Sequence, residues 1–191
     1  MCKTFDKVVE DYFGIITGDS TLVFIKTGRG GSVYGYKNKY LKMACDIRDK
    51  YGYTVVVSAN PVEYDCDLLA EIGYVKDEVL KPDCIYYMGV SNGAIIGAQQ
   101  GWKVPGIKRM LLINGPLMIN LHKLLDGLRK YNGERICLVY GDKDPSYPYL
   151  SVFEKQSIEN VVVKVAYGAD HNFAGMESEM QLLMYEELLG E

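Results

Sequence analysis

The sequence predicts an α/β protein, a three-layer α/β/α sandwich on a mostly parallel sheet. Two observations carry this reading. Six short apolar runs rich in β-branched and aromatic residues recur along the chain: Thr21–Lys26, Tyr53–Ser58, Cys84–Met88, Arg109–Ile113, Arg135–Tyr140 and Val161–Ala166. Between them lie segments with apolar residues at helical spacing. Strand–helix alternation implies right-handed βαβ crossovers, which place helices on both faces of a parallel sheet. The 191 residues suit one domain over 1–191, and no composition shift marks a second.

In chain order, the residues before Thr21 leave room for one or two strands, so the first edge of the sheet is expected to be trimmed. Thr21–Lys26 ends in the loop Thr27-Gly28-Arg29-Gly30-Gly31-Ser32, after which Tyr40, Leu41, Ala44, Cys45 and Arg48 outline a helix. Read as a dinucleotide fingerprint from Gly28 and Gly30, that loop needs glycine at position 33. Val33 stands there, and no nucleotide cofactor is expected. Cys84–Met88 leads into Gly89-Val90-Ser91-Asn92-Gly93 and a helix of small residues. Arg109–Ile113 is followed by only about 20 residues, Asn114 to Glu134, enough for one helix and its turns. The last helix carries Met176, Met180, Leu183, Met184 and Leu188.

Composition narrows the function classes. At 48% hydrophobic and 24% charged the chain is globular rather than disordered. A net charge of −4 and scattered Lys and Arg argue against a nucleic-acid partner. The N-terminal MCKTFDKVVEDYFG lacks the apolar run of a secretory signal, and no segment is long enough to span a bilayer, so a cytoplasmic location is expected. Cys2, Cys45, Cys66, Cys84 and Cys137 contain no CxxC pair and read as reduced thiols, mostly core filler, with no metal site.

Ligands of open parallel sheets bind at the carboxyl ends of the strands, where the chemistry-bearing loops are expected. Gly89-Val90-Ser91-Asn92-Gly93 is a G-x-S-x-G sequence in strand–turn–helix context. A serine on a sharp, strained turn needs flanking residues without side chains, because strand and helix backbones approach closely there. A serine hydroxyl also needs a base. Of the two histidines, His171 follows the last strand in Gly168-Ala169-Asp170-His171-Asn172-Phe173, whereas His122 falls in a predicted helix and is given no catalytic role. The base needs an orienting carboxylate, and Gly141-Asp142-Lys143-Asp144-Pro145-Ser146-Tyr147-Pro148 supplies two candidates, Asp142 and Asp144. Asp170 reads as a turn residue.

Taken together, GVSNG, GDKDPSYP and GADHNF resemble the α/β-hydrolase superfamily over roughly Thr21 to Gly175. The resemblance implies the chain order Ser91, Asp144, His171 for nucleophile, acid and base, with Asp142 as the alternative acid. It also implies an oxyanion hole from the backbone N–H groups of Asn92 and Arg29, although Thr27 stands where the family commonly has histidine. A capless open groove is expected, with Leu117, Met118, Tyr147, Tyr149 and Phe173 as candidate substrate-binding residues. The expected function is hydrolysis of a small or carrier-borne carboxylic ester or thioester without a cofactor. Acyl transfer, peptide cleavage and a catalytically silent binding protein are the alternatives.

Overall fold

The computed structural model describes residues 3–116 and 118–190. Eight strands form one sheet: β1 (Lys7–Val9), β2 (Phe13–Ile16), β3 (Thr21–Lys26), β4 (Thr54–Ser58), β5 (Cys84–Val90), β6 (Ile107–Ile113), β7 (Arg135–Gly141) and β8 (Val161–Ala166). Their spatial order is β1-β2-β4-β3-β5-β6-β7-β8. From β4 to β8 every pairing is parallel, while β1 with β2 and β2 with β4 pair antiparallel. The first edge is thus trimmed in length, to three and four residues, and not in strand number.

The helices are α1 (Lys39–Tyr51), α2 (Leu68–Glu78), α3 (Asn92–Gln100), α4 (Leu121–Lys130), α5 (Leu150–Glu154) and α6 (Glu177–Leu183), the last continuing into a π-helical turn over Met184–Leu189. Strand alternation sorts the core into two layers. Val23, Ile25, Val55, Val57, Leu111 and Val139 pack with α1 and α6. Leu22, Phe24, Val56, Tyr87, Leu112 and Leu138 pack with the other four helices. Between β6 and β7 the chain builds α4 and no inserted cap. No helix among the described residues is long and apolar enough to cross a membrane.

One feature departs from the sequence expectation, and a second carries no signal in the sequence. Cys45 is disulfide-bonded, which corrects the reading of five reduced thiols. Cys66, Cys84 and Cys137 are free. Local spacing gives no signal for a bridge that closes through tertiary structure.

The second is Lys26. It ends β3 as an apparent surface lysine, yet it is fully buried. Alternation turns Lys26, like Leu22 and Phe24, towards α2. There Nζ lies 2.7 Å from Glu71 Oε1, 2.7 Å from the Ala59 carbonyl and 3.0 Å from Ser58 Oγ. Tyr12 OH and Cys66 Sγ also donate to Glu71, and burial pushes the Cys66 thiol up to about 12. Because a buried carboxylate without its cation keeps its desolvation cost, Lys26→Met is expected to destabilise the protein by about 3–5 kcal/mol. Lys26→Met with Glu71→Leu is expected to recover most of that loss in urea unfolding. A single variant as stable as the double would show that the pair does not balance charge.

Candidate active site

Ser91 sits between β5 and α3 with φ 53° and ψ −117°, a conformation that strains a residue with a side chain. The surroundings enforce it. Ser91 N donates to the Ile113 carbonyl at 2.8 Å, and its own carbonyl accepts from Ala94 N at 3.0 Å. The flanking glycines are steric necessities. A Cβ at Gly89 would meet the Gly93 carbonyl oxygen at 2.4 Å, and one at Gly93 would meet the Lys26 carbonyl oxygen at 2.3 Å.

The structure brings the three predicted side chains together. Ser91 Oγ lies 2.9 Å from His171 Nε2, and His171 Nδ1 lies 2.5 Å from Asp144 Oδ2. The Asp144 side chain is fully buried, and its other oxygen accepts from Ser146 N at 2.6 Å. Asp142 instead accepts from Gly168 N at 2.7 Å, fixing a turn and making no contact with His171. Asp170 accepts from Asn172 N and Ala174 N, both at 3.0 Å, as a turn residue does. These bonds, Ala174 N foremost, hold its carboxyl below the usual range. His122 is exposed on α4.

The loop after β3 borders Ser91. A Cβ at Gly28 would lie 3.1 Å from Ser91 Cβ, a tight contact, so a side chain there would press the loop away from the nucleophile. Neither Arg29 N–H nor Asn92 N–H has a hydrogen-bond acceptor among the described residues. The Arg29 guanidinium points away, donating to the Val62 carbonyl at 3.2 Å.

Two polar residues that sequence reading missed lock these loops together. Buried Asn60 donates from Nδ2 to the Thr27 carbonyl at 3.1 Å and to Asn92 Oδ1 at 2.9 Å, while its backbone pairs with Gly30 and Gly31. Buried Asn114 donates to the Asp170 and His171 carbonyls, both at 3.0 Å, and accepts from Gly141 N at 2.9 Å. A single asparagine thereby ties the acid-bearing loop to the histidine loop. Neither residue carries a local motif.

Beside Ser91 and His171 runs an open cleft of about 610 Å³, walled by Gly28, Gly31, Tyr36, Lys39, Tyr40 and Asn172. A second hollow of about 390 Å³, flanked by Asn60, Tyr64 and Ile95, lies against Arg29 and Asn92. This corrects the expected groove residues. Phe173 has no exposed surface and packs in the core with α1 and α6. Tyr147 packs against the opposite core layer, and neither Met118 nor Tyr149, though exposed, lines the cleft. Leu117 lies outside the described residues. Adjacency to a catalytic loop in sequence does not fix which way a side chain turns.

No family model matches the chain, and no curated protein matches it in sequence. Solved structures match in fold. Est1E from Butyrivibrio proteoclasticus superposes with a TM-score of 0.72 at 15% identity, covering 92% of this chain and 93% of that one. An α/β serine hydrolase homologue from Coxiella burnetii gives 0.70 at 20% identity, over 90% and 88% of the two chains. An α/β serine hydrolase without lid from Xanthomonas campestris gives 0.66 at 15% identity, over 92% and 86%. The chain has the α/β-hydrolase fold.

Proposed function

We propose that the protein is a serine hydrolase that cleaves a carboxylic ester or thioester through an acyl-Ser91 intermediate. The observation that carries this is the continuous chain of hydrogen bonds from Asp144 through His171 to Ser91. His171 Nε2 takes the Ser91 proton as Oγ attacks the carbonyl carbon, and the N–H groups of Asn92 and Arg29 receive the charge on the former carbonyl oxygen. Collapse breaks the bond to the alcohol or thiol, which leaves with the proton from His171. Water, deprotonated by His171, then attacks the acyl-enzyme and frees the acid. Buried Asp144 holds the imidazole with Nε2 free to accept. The solved structures of like fold include serine hydrolases, which agrees with this chemistry. A disulfide at Cys45 is chemistry of an oxidising compartment and weighs against the cytoplasmic location expected from the sequence.

The test is labelling with a fluorophosphonate probe, read by intact mass, on the native chain and on Ser91→Ala. One adduct on the native chain only, with turnover of p-nitrophenyl esters or acyl thioesters, supports the reading. A folded native chain that takes no adduct overturns it in favour of a catalytically silent binding protein.

Asn60 gives a second check, because it sets the spacing between the two loops that carry the proposed oxyanion donors. Asn60→Ala removes two hydrogen bonds and leaves the Thr27 carbonyl unpaired. Oxyanion donors act in the transition state, so kcat is expected to fall about tenfold or more while KM changes little. Steady-state kinetics alongside thermal unfolding separates this from simple loss of folded enzyme. A rise in KM at constant kcat would remove Asn60 from that role.

A further inference from the structure

The wall of the cleft beyond His171 is basic in an acidic protein. Lys39 lines the cleft that holds Ser91, and it also borders an adjoining hollow of about 540 Å³ together with Lys37, Lys42 and Lys3. Tyr36 and Glu177 also line both cavities, so the two adjoin.

These lysines are held but not neutralised. No carboxylate lies within ion-pair distance of Lys37, Lys39 or Lys42 among the described residues, whereas Lys26, Lys130 and Lys164 each have one. The nearby acids act on the lysines only from beyond ion-pair distance, and each accepts a hydrogen bond elsewhere. Asp46 accepts from Gln181 at 2.7 Å, and Glu177 accepts from Gly175 N at 3.4 Å. Lys39 Nζ spends one donor on the Asn172 carbonyl, at 3.4 Å, beside the catalytic histidine. Burial lowers its ammonium from the ordinary lysine value against the pull of Glu177 and Asp170. The turn that presents the lysines is left-handed at the adjacent residues Lys37, φ 52°, and Asn38, φ 60°.

The leaving group of the proposed reaction must lie beside His171 Nε2, which protonates it, and from there the cleft leads to Lys39. We propose that the substrate's leaving alcohol or thiol carries an anionic group, which Lys39 binds with support from Lys37 and Lys42. This rests on the reading of Ser91 as nucleophile. The Lys39 ammonium has two further donors for a carboxylate or phosphate oxygen, and charge-assisted hydrogen bonds in a partly desolvated cleft are the strong kind.

The experiment compares matched substrates differing in leaving-group charge. One pair is 4-acetoxybenzoate and its neutral methyl ester, and the other is acetyl-coenzyme A and the truncated neutral thioester S-acetyl-N-acetylcysteamine. The expected result is a kcat/KM preference of about 10–100-fold for the charged member of at least one pair. That ratio should collapse in Lys39→Gln and persist in Lys39→Arg. Turnover of the neutral members with no charged preference in either pair overturns the inference and leaves the hydrolase reading standing. A charged preference that survives Lys39→Gln overturns it too. Absence of both fluorophosphonate labelling and turnover removes the hydrolase reading, and the inference falls with it.

Discussion

Ser91→Ala is expected to lower kcat on an accepted ester by a factor on the order of 10⁶, the scale of nucleophile removal in serine hydrolases generally. The reason is local. No other hydroxyl is hydrogen-bonded to His171 Nε2 among the described residues, so deleting Oγ removes the only activated nucleophile and the covalent route with it. Substrate binding should persist, because the walls of the cleft come from other residues. Residual turnover of about 10³–10⁴ over water should remain from the oxyanion donors and binding alone. His171→Ala is expected to cost about as much as Ser91→Ala, and the double variant little more, because the two act as one unit. Single-turnover measurements on the three variants check this. Additive losses would mean that His171 serves a step independent of Ser91.

The three loops that meet at Ser91 were legible in the sequence because each follows an apolar strand and carries residues with few alternative explanations. A serine between two glycines, a histidine after the last strand and two carboxylates after the strand before it outline the candidate site, and the structure separates Asp144 from Asp142. Helices on both faces of the sheet followed from strand–helix alternation in the same way. What stayed hidden depends on long-range partners. Asn60 and Asn114 work through contacts with Asn92 and His171, 32 and 57 residues away, and an asparagine in a loop ordinarily reads as a turn former. Lys26 is buried because Glu71 on α2 meets it, which a strand-ending lysine cannot announce. Phe173 follows His171 by two residues, but a left-handed backbone at φ 54° accompanies a side chain buried in the core rather than facing the cleft. The basic wall was also missed. Lys37, Lys39 and Lys42 lie within six residues of one another, but the sequence does not show that the turn before α1 sets Lys39 against the histidine loop.

Asp144→Asn is expected to lower kcat/KM by about 10⁴, while Asp142→Asn should stay within a fewfold of the native value. Geometry separates the two. Asp144 uses one oxygen to accept from Ser146 N and the other to face His171 Nδ1. An asparagine there must keep its carbonyl oxygen on the Ser146 N–H, since the reverse would set an amide NH₂ against a buried donor. Its NH₂ then faces Nδ1, which has to accept. The imidazole proton moves to Nε2, and a nitrogen already carrying a proton cannot take one from Ser91. Folding should survive, since the substitution is nearly isosteric and keeps both hydrogen bonds. At Asp142, asparagine can still accept from Gly168 N, so the turn and the histidine behind it should hold. An active Asp144→Asn beside an inactive Asp142→Asn would move the acid's role to Asp142, which would then have to leave its turn to reach His171. Loss in both variants, with both folded, would mean that the loop's conformation rather than one carboxylate sets the tautomer of the base.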